Sequence, residues 1–261
     1  MNRLAINRLI NALVLDGKLV QSRRVFSVIK QFLGWCEFQG IIESSPLATM
    51  SLNKVAGGAK PKPRERVLTD DELEKFWHMW DFAEVSESTR WAARFILCSA
   101  RRPDEVLRAR RDEFDLHRDV WNQGERNKSG RDHSLPISPI MRICIDKMID
   151  AAGDSEWLVP SPKTAAKPAS KVMVAPASRR IMAKKYLSDA LPEPFEIRDL
   201  RRTARSSLSR LNVDQDVARK IMNHSLEGID RVYNRHDYMD RMIEAMLAYS
   251  DFLMEKCKIN Q

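Results

Sequence analysis

Arg198, Arg201, Arg202 and Arg205 crowd into one fourteen-residue stretch, FEIRDLRRTARSSL (195–208). Arg201 and Arg205 are four apart and share a face of the helix this stretch predicts. Beside them Leu200, Ala204, Leu208 and Leu211 form an apolar stripe. A guanidinium on a helix anchored by such a stripe presents a preset fork of donors, which suits a phosphate. Taken alone, these arginines fit a solvated helix face equally well. Other candidates are spread along the chain. Arg102-x-x-Glu105 opens a helix in SARRPDEVLRARRDEFD (99–115), and Lys128 sits in NKSG at a hairpin tip. In MNHSLEGIDRVYNRHDY (222–238), His224 closes a helix and Tyr233 follows nine residues later. Each has an ordinary reading: Arg102 pairs with Glu105, Lys128 is a turn lysine, His224 is favoured by the helix dipole, and Tyr233 packs.

The charge of the 261-residue chain supports an anionic ligand. The formal balance is +8, and its placement matters more than its size. Segment 60–66, KPKPRER, carries four basic residues and one acid, and 178–210 carries nine basic residues and four acids. Together these two segments hold the whole excess, and concentrated positive charge points to a polyanion such as nucleic acid. No apolar run approaches the length of about 18 residues that a membrane span needs. The N-terminus has no signal-peptide pattern. Cys36, Cys98, Cys144 and Cys257 are scattered without a CxxC pair, as expected for reduced thiols in a cytoplasm and not for a zinc site or disulfide frame.

The elements that must hold these residues are mostly helical. Residues 1–55 read as a small helical unit. Within it, SRRVFSVIKQFLGWCEFQG places Val25, Val28, Ile29, Phe32, Leu33 and Cys36 at helical spacing, and Gly40 ends the run. Residues 56–67, rich in Gly, Pro and charge, read as a linker. The rest, 68–261, reads as one larger domain. Thr69-x-x-Glu72 is a capping box, a helix follows in STRWAARFILCSA, and another is expected across PDEVLRARRDEF after Pro103. A small three-stranded sheet is expected at 115–137, and 164–178, TAAKPASKVMVAPAS, reads as a loop. From 198 onward the pattern is helical. It ends in an amphipathic helix over about 237–256 whose stripe is Met239, Met242, Ile243, Met246, Leu247, Leu253 and Met254. The fold class expected is mainly α with a small antiparallel sheet.

In their order along the chain these segments resemble the catalytic domain of tyrosine recombinases, in particular prophage-type integrases. That family carries an arginine in a TGxRxxE-like segment, a hairpin lysine, an HDLRRT-like segment, an LGHS-like segment and a nucleophilic tyrosine. Each motif alone is weak, and five in order over 68–256 are strong. The resemblance implies an active site of Arg102, Lys128, Arg201, His224 and Tyr233. The arginines and His224 would stabilise the charge developing on the phosphodiester. Tyr233 would attack phosphorus to form a 3′-phosphotyrosyl link, and Lys128 would protonate the departing 5′-oxygen. Glu105 would orient Arg102, while Lys60, Lys62, Arg64, Arg202 and Arg205 would touch DNA. No metal or nucleotide cofactor is implied, since the covalent link conserves the bond energy. Implied partners are double-stranded attachment sites, a homotetramer assembled on DNA from monomers in its absence, and DNA-bending accessory proteins. Tyr238, fourteen residues after His224, is the competing nucleophile.

Two departures from the pattern stand out. Arg198 occupies the place of the family's histidine in IRDLRRT. Arginine is no general base at neutral pH. Arg198 could instead bind phosphate or lower the tyrosine's pKa, leaving Asp199 or water to take the proton. Family members also carry a core-binding domain of several helices, so residues 1–55 resemble only part of that clamp. Two other functions fit less well: a remnant that only binds DNA, which has no use for Tyr233, and a type IB topoisomerase.

Overall fold

The computed structural model describes residues 2–51, 64–124, 130, 132–182, 193–224 and 235–259. The chain divides into two compact units, Met1–Arg64 and Glu65–Gln261. No helix among the described residues is long and apolar enough to cross a membrane.

The smaller unit pairs α1 (Arg3–Leu15) with α2 (Leu19–Phe38). The Asn2 side chain accepts from the Ala5 amide at 2.9 Å and caps α1. Ile6, Ile10, Phe26, Leu33 and Leu47 form the core. The buried line on α2 is Ser22, Phe26, Leu33 and Cys36, with Ile29 partly buried, at alternating spacings of four, three, four and three. This corrects the stripe read from the sequence: Val28 and Phe32 are 65% and 56% exposed. Apolar residues occupy two adjacent faces of α2, and only the face turned to α1 is covered within this unit.

The larger unit is built around α4 (Glu87–Ser99), which is buried along nearly its whole length. It packs on α6 (Pro139–Ala152) and α8 (Asp199–Arg210). Before it, α3 (Asp70–Met79) begins with the expected Thr69–Glu72 capping box. Glu72 also receives both terminal nitrogens of the buried Arg66, so this arginine of the basic 60–66 segment is committed to the fold. Strands β1 (Phe114–Asp115), β2 (Val120–Asn122) and β3 (Ser134–Pro136) form the expected antiparallel sheet. Its register pairs Phe114 with Trp121 and Trp121 with Leu135. The final helices are α9 (Gln215–Ile221) and α10 (Arg235–Lys256). The helical piece expected around 230–235 lies largely outside the described residues.

Three expectations need correcting here. The helix α5 that opens at Pro103 spans only Pro103–Leu107. Beyond it the backbone is drawn into pairing with 156–158, where the Leu158 amide donates to Ala109 O and the Arg111 amide to Glu156 O. The stretch 164–178 is not a loop: β5 (Thr164–Pro168) pairs with β4 (Pro160–Ser161), and α7 (Lys171–Met182) follows. Pro176 lies inside α7, but alanine favours the helix, and Val174, Ala177 and Ser178 bury one face. On α10, Met242, Met246 and Leu253 are buried, whereas Ile243 and Leu247 are not. The helix folds back on its own chain. Tyr249 donates to Leu97 O at 3.0 Å, and Ser250 Oγ accepts from the Ile140 amide at 3.1 Å.

Candidate active site

Helix α4 ends at Ala100, whose left-handed backbone (φ 53°) turns the chain so that Arg101 and Arg102 leave in different directions. Arg101 is fully buried, its guanidinium carbon 5.7 Å from the centre of the Trp121 ring. Arg102 caps α5 and lines an open cavity of about 1150 Å³. Its Nη1 donates to Glu105 Oε1 at 2.8 Å, and its amide donates to Glu105 Oε2 at 3.3 Å. Glu105 is buried, so this pair gives Arg102 a defined orientation.

The same turn receives the second arginine. Arg201 lies on the inner face of α8, next to buried Leu200 and Ala204. Its Nη1 donates to Ala100 O at 2.7 Å, and its Nη2 donates to Met222 O. Nη2 also lies 3.0 Å from His224 Nε2. One guanidinium thus ties the end of α4 to the segment after α9, and two of its five N–H groups remain for an anion. Burial, with help from Arg102, lowers the Arg201 pKa to about 10, so it stays charged at neutral pH.

Arginine can only donate, so His224 Nε2 accepts and the proton of the neutral ring lies on Nδ1. Burial first, then the charges of Arg201, Arg102, Arg205 and Arg219, hold His224 down to about 4. His224 therefore enters any reaction near neutrality as an uncharged group that can donate from Nδ1.

Arg198, Arg202 and Arg205 line the cavity with Arg102, Arg201 and His224. Their situations differ. Arg202 donates to Asp199 Oδ1, whereas Arg198 and Arg205 have no acidic partner among the described residues. Asp199 is fully buried, and its Oδ2 accepts from the Glu196 amide at 2.8 Å. With both oxygens engaged, Asp199 fixes the start of α8 and is a poor proton acceptor for a cavity group. Arg64 is exposed in the smaller unit. Lys60, Lys62, Lys128 and Tyr233 lie outside the described residues; β2 and β3, which precede and follow Lys128 in sequence, pair antiparallel. Tyr238 is partly buried on α10, with the charges of Lys220 and Arg241 within 6.0 Å of its ring centre. No group of three or more His, Cys, Asp or Glu side chains among the described residues could hold a metal ion.

Two features escaped the sequence reading. Arg179, on α7, also lines the cavity. Behind the arginine turn, Gln123 and His133 are buried at 2% and 6% exposure. The alternation His133, Leu135, Ile137 already placed that histidine on the inner face of the sheet.

The family model described as phage integrase family matches residues 66–240, about two thirds of the chain and all of the site just described. The chain belongs to the phage integrase family. Prophage integrase IntA of Escherichia coli (strain K12) is 26% identical over 242 residues, covering 91% of this chain and 55% of its own. The chain therefore spans about half the length of this curated relative. Among solved structures, a lambda integrase dimer bound to a COC′ core site aligns at TM-score 0.64 and 17% identity, covering 93% of this chain and 64% of that one. The XerH site-specific recombinase bound to a palindromic difH substrate aligns at TM-score 0.64 and 14% identity, covering 99% of this chain and 72% of that one. At these identities the structural matches establish a shared integrase fold.

Proposed function

We propose that this chain is a prophage- or genomic-island-type integrase that cuts and rejoins double-stranded DNA through a 3′-phosphotyrosyl intermediate on Tyr233. The observation that carries the reading is the arginine pair. Arg102 and Arg201 come from segments a hundred residues apart, are joined through the Ala100 turn, and face one cavity with His224. Two fixed cations and a neutral donor suit an anionic phosphorus centre that gains charge on its non-bridging oxygens.

In the proposed step the Tyr233 oxygen bonds to phosphorus as the P–O5′ bond breaks. Lys128 gives its proton to the departing 5′-oxygen. The phenol proton passes to water, because Arg198 cannot accept it and Asp199 is engaged elsewhere. Rejoining reverses the step with a 5′-hydroxyl from the partner strand. The solved relatives include a lambda integrase dimer on a core site and a tetramer bound to a Holliday junction. By analogy, this chain would assemble as a homotetramer on two attachment sites in the cytoplasm, with DNA-bending proteins as accessories. Residues 1–55 would then supply part of the family's DNA clamp, and Lys60, Lys62 and Arg64 would touch the DNA backbone.

A library of nicked duplexes randomised over the central positions tests the reading, because a nick lets the short 5′-hydroxyl strand diffuse away and traps the intermediate. A protein–DNA adduct that survives denaturant, with the nucleotide mapped to Tyr233 by peptide mass spectrometry, is the expected result. Salt-dependent binding without any adduct would favour a remnant that only binds DNA. Arg198 has a separate expectation. Arg198→Ala should slow adduct formation or weaken DNA binding by about tenfold, the scale of one charge-assisted hydrogen bond. An unchanged rate and affinity would make it an ordinary surface residue.

A further inference from the structure

Water can relay the phenol proton of the cleavage step but cannot keep it, because hydronium is a far stronger acid than a phenol. A base must stand behind that water. Most titratable groups around the cavity cannot serve. Arginine has no lone pair to offer. His224 Nε2 already accepts from Arg201 at 3.0 Å, and its Nδ1 carries the ring proton. Both oxygens of Asp199 are engaged, one by Arg202 and the other by the Glu196 amide. Both oxygens of Glu105 are taken by Arg102. Asp104 lines the cavity but has a partner of its own.

Glu196 is the exception. It is exposed and lines the same cavity as Arg102, Arg201 and His224. Six arginines line that cavity, yet among the described residues the Glu196 carboxylate makes no hydrogen bond and no ion pair. Its backbone is pinned. The amide donates to Asp199 Oδ2 at 2.8 Å, and the carbonyl accepts from the Asp199 amide at 2.7 Å. On either side Phe195 and Ile197 are buried, and Phe195 meets Phe76 edge-on with ring centres 5.6 Å apart. Glu196 is thereby held on the open side between two anchored neighbours. A carboxylate here works against phosphate binding, since it repels the ligand that the arginines attract. Its free lone pairs are what a proton acceptor requires.

We infer that Glu196 is the final acceptor of the tyrosine proton, filling the role that an arginine at 198 cannot. The inference rests on the DNA-cleaving reading above. As the Tyr233 oxygen bonds to phosphorus, its O–H becomes strongly acidic, and the proton crosses one water to a Glu196 carboxylate oxygen. In the same step the P–O5′ bond breaks and Lys128 protonates O5′. In rejoining, the Glu196 carboxylic acid returns its proton through water to the departing phenolate. Lys128 recovers its own from the attacking 5′-hydroxyl.

The test is the rate of single-turnover adduct formation by the full chain, at saturating protein, on a duplex recovered from the nicked library. Glu196→Gln keeps the shape and removes the base, so the rate should fall about a hundredfold, the lower end of the range for a positioned acid or base. Duplex affinity should be unchanged or tighter, because a charge that repels phosphate has left the cavity. With Glu196→Ala, added acetate should restore the rate in proportion to its concentration, which a merely structural role would not allow. Replacing O5′ by sulfur separates the two ends of the proton path. A thiolate leaves without a proton, so Lys128→Ala should recover on this substrate while Glu196→Gln stays slow. A wild-type rate in Glu196→Gln, its recovery on the sulfur substrate, or a slow Glu196→Ala that acetate does not restore would each overturn the assignment and leave the cleavage reading intact. No adduct from the wild type on any duplex would remove the cleavage reading itself, and the role of Glu196 with it.

Discussion

Arg201→Ala is expected to reduce single-turnover adduct formation by about a thousandfold, the upper range for loss of one preorganised transition-state donor. The effect is large because one side chain serves three purposes. Its remaining N–H groups and charge would face the phosphate, its Nη1 holds the Ala100 turn that projects Arg102, and its Nη2 holds His224 in the Nε2-accepting tautomer. Truncation leaves the Ala100 and Met222 carbonyls without their donor, at about 1–3 kcal/mol for each buried group. Stability must therefore fall as well, and the rate is to be compared at a temperature where circular dichroism shows both proteins folded. Arg201→Lys separates charge from geometry. A single ammonium cannot reproduce the planar set of contacts, so about a hundredfold loss should remain although the charge is kept. A spectroscopic readout accompanies the kinetics. Removing the Arg201 charge should raise the His224 midpoint from about 4 toward its ordinary value, seen by NMR of the imidazole. A folded Arg201→Ala protein within tenfold of the wild-type rate would show that the phosphate is held elsewhere.

The family resemblance, and not the spacing of any one motif, pointed to Arg102, Arg201 and His224 together, and the structure brings those three to one cavity. The capping box at Thr69 and the pairing of Val120–Asn122 with Ser134–Pro136 were legible because local chemistry decides them. Features decided by distant partners were not. The helix after Pro103 ends early because residues 156–158 compete for its backbone. Composition suggested a loop at 164–178, yet packing of Val174 and Ala177 holds a helix there despite Pro176, and Arg179 was lost with it. On α2 two apolar faces carry similar signals, and only the position of α1 tells which is covered. Asp199 shows the converse error. Its place beside Arg198 suggested proton transfer, but burial and two donors give it a structural role.

Burial of a histidine beside the site's cations leads to the other large effect, which is on stability. His133 sits behind the arginine turn, 6% exposed, and among the described residues its Nε2 has no hydrogen-bond partner. Burial, followed by the charges of Arg101, Lys220 and Arg201, lowers its pKa to about 2. The unfolded chain binds this proton near the ordinary value of about 6.5. A depressed folded pKa gives stability that is complete above the unfolded value and is lost as pH falls toward the folded one. At pH 5 the unfolded imidazole is mostly charged and the folded one is not, which is worth about 2 kcal/mol. Thermal unfolding should therefore move down by about 4–8 °C between pH 7.5 and pH 5 through His133 alone. His224, also depressed, acts in the same direction. His133→Leu keeps the buried volume nearly constant and removes both the titration and an unsatisfied polar atom. It should unfold no earlier than wild type at pH 7.5 and lose most of the acid sensitivity. Full acid sensitivity in His133→Leu would mean that the folded protein accepts the proton at this position. Burial is the larger cause, and the electrostatic part comes from the field that would draw a phosphate into the cavity, since Arg201 belongs to both. Bound DNA should therefore relieve only the part of the acid sensitivity that this charge contributes.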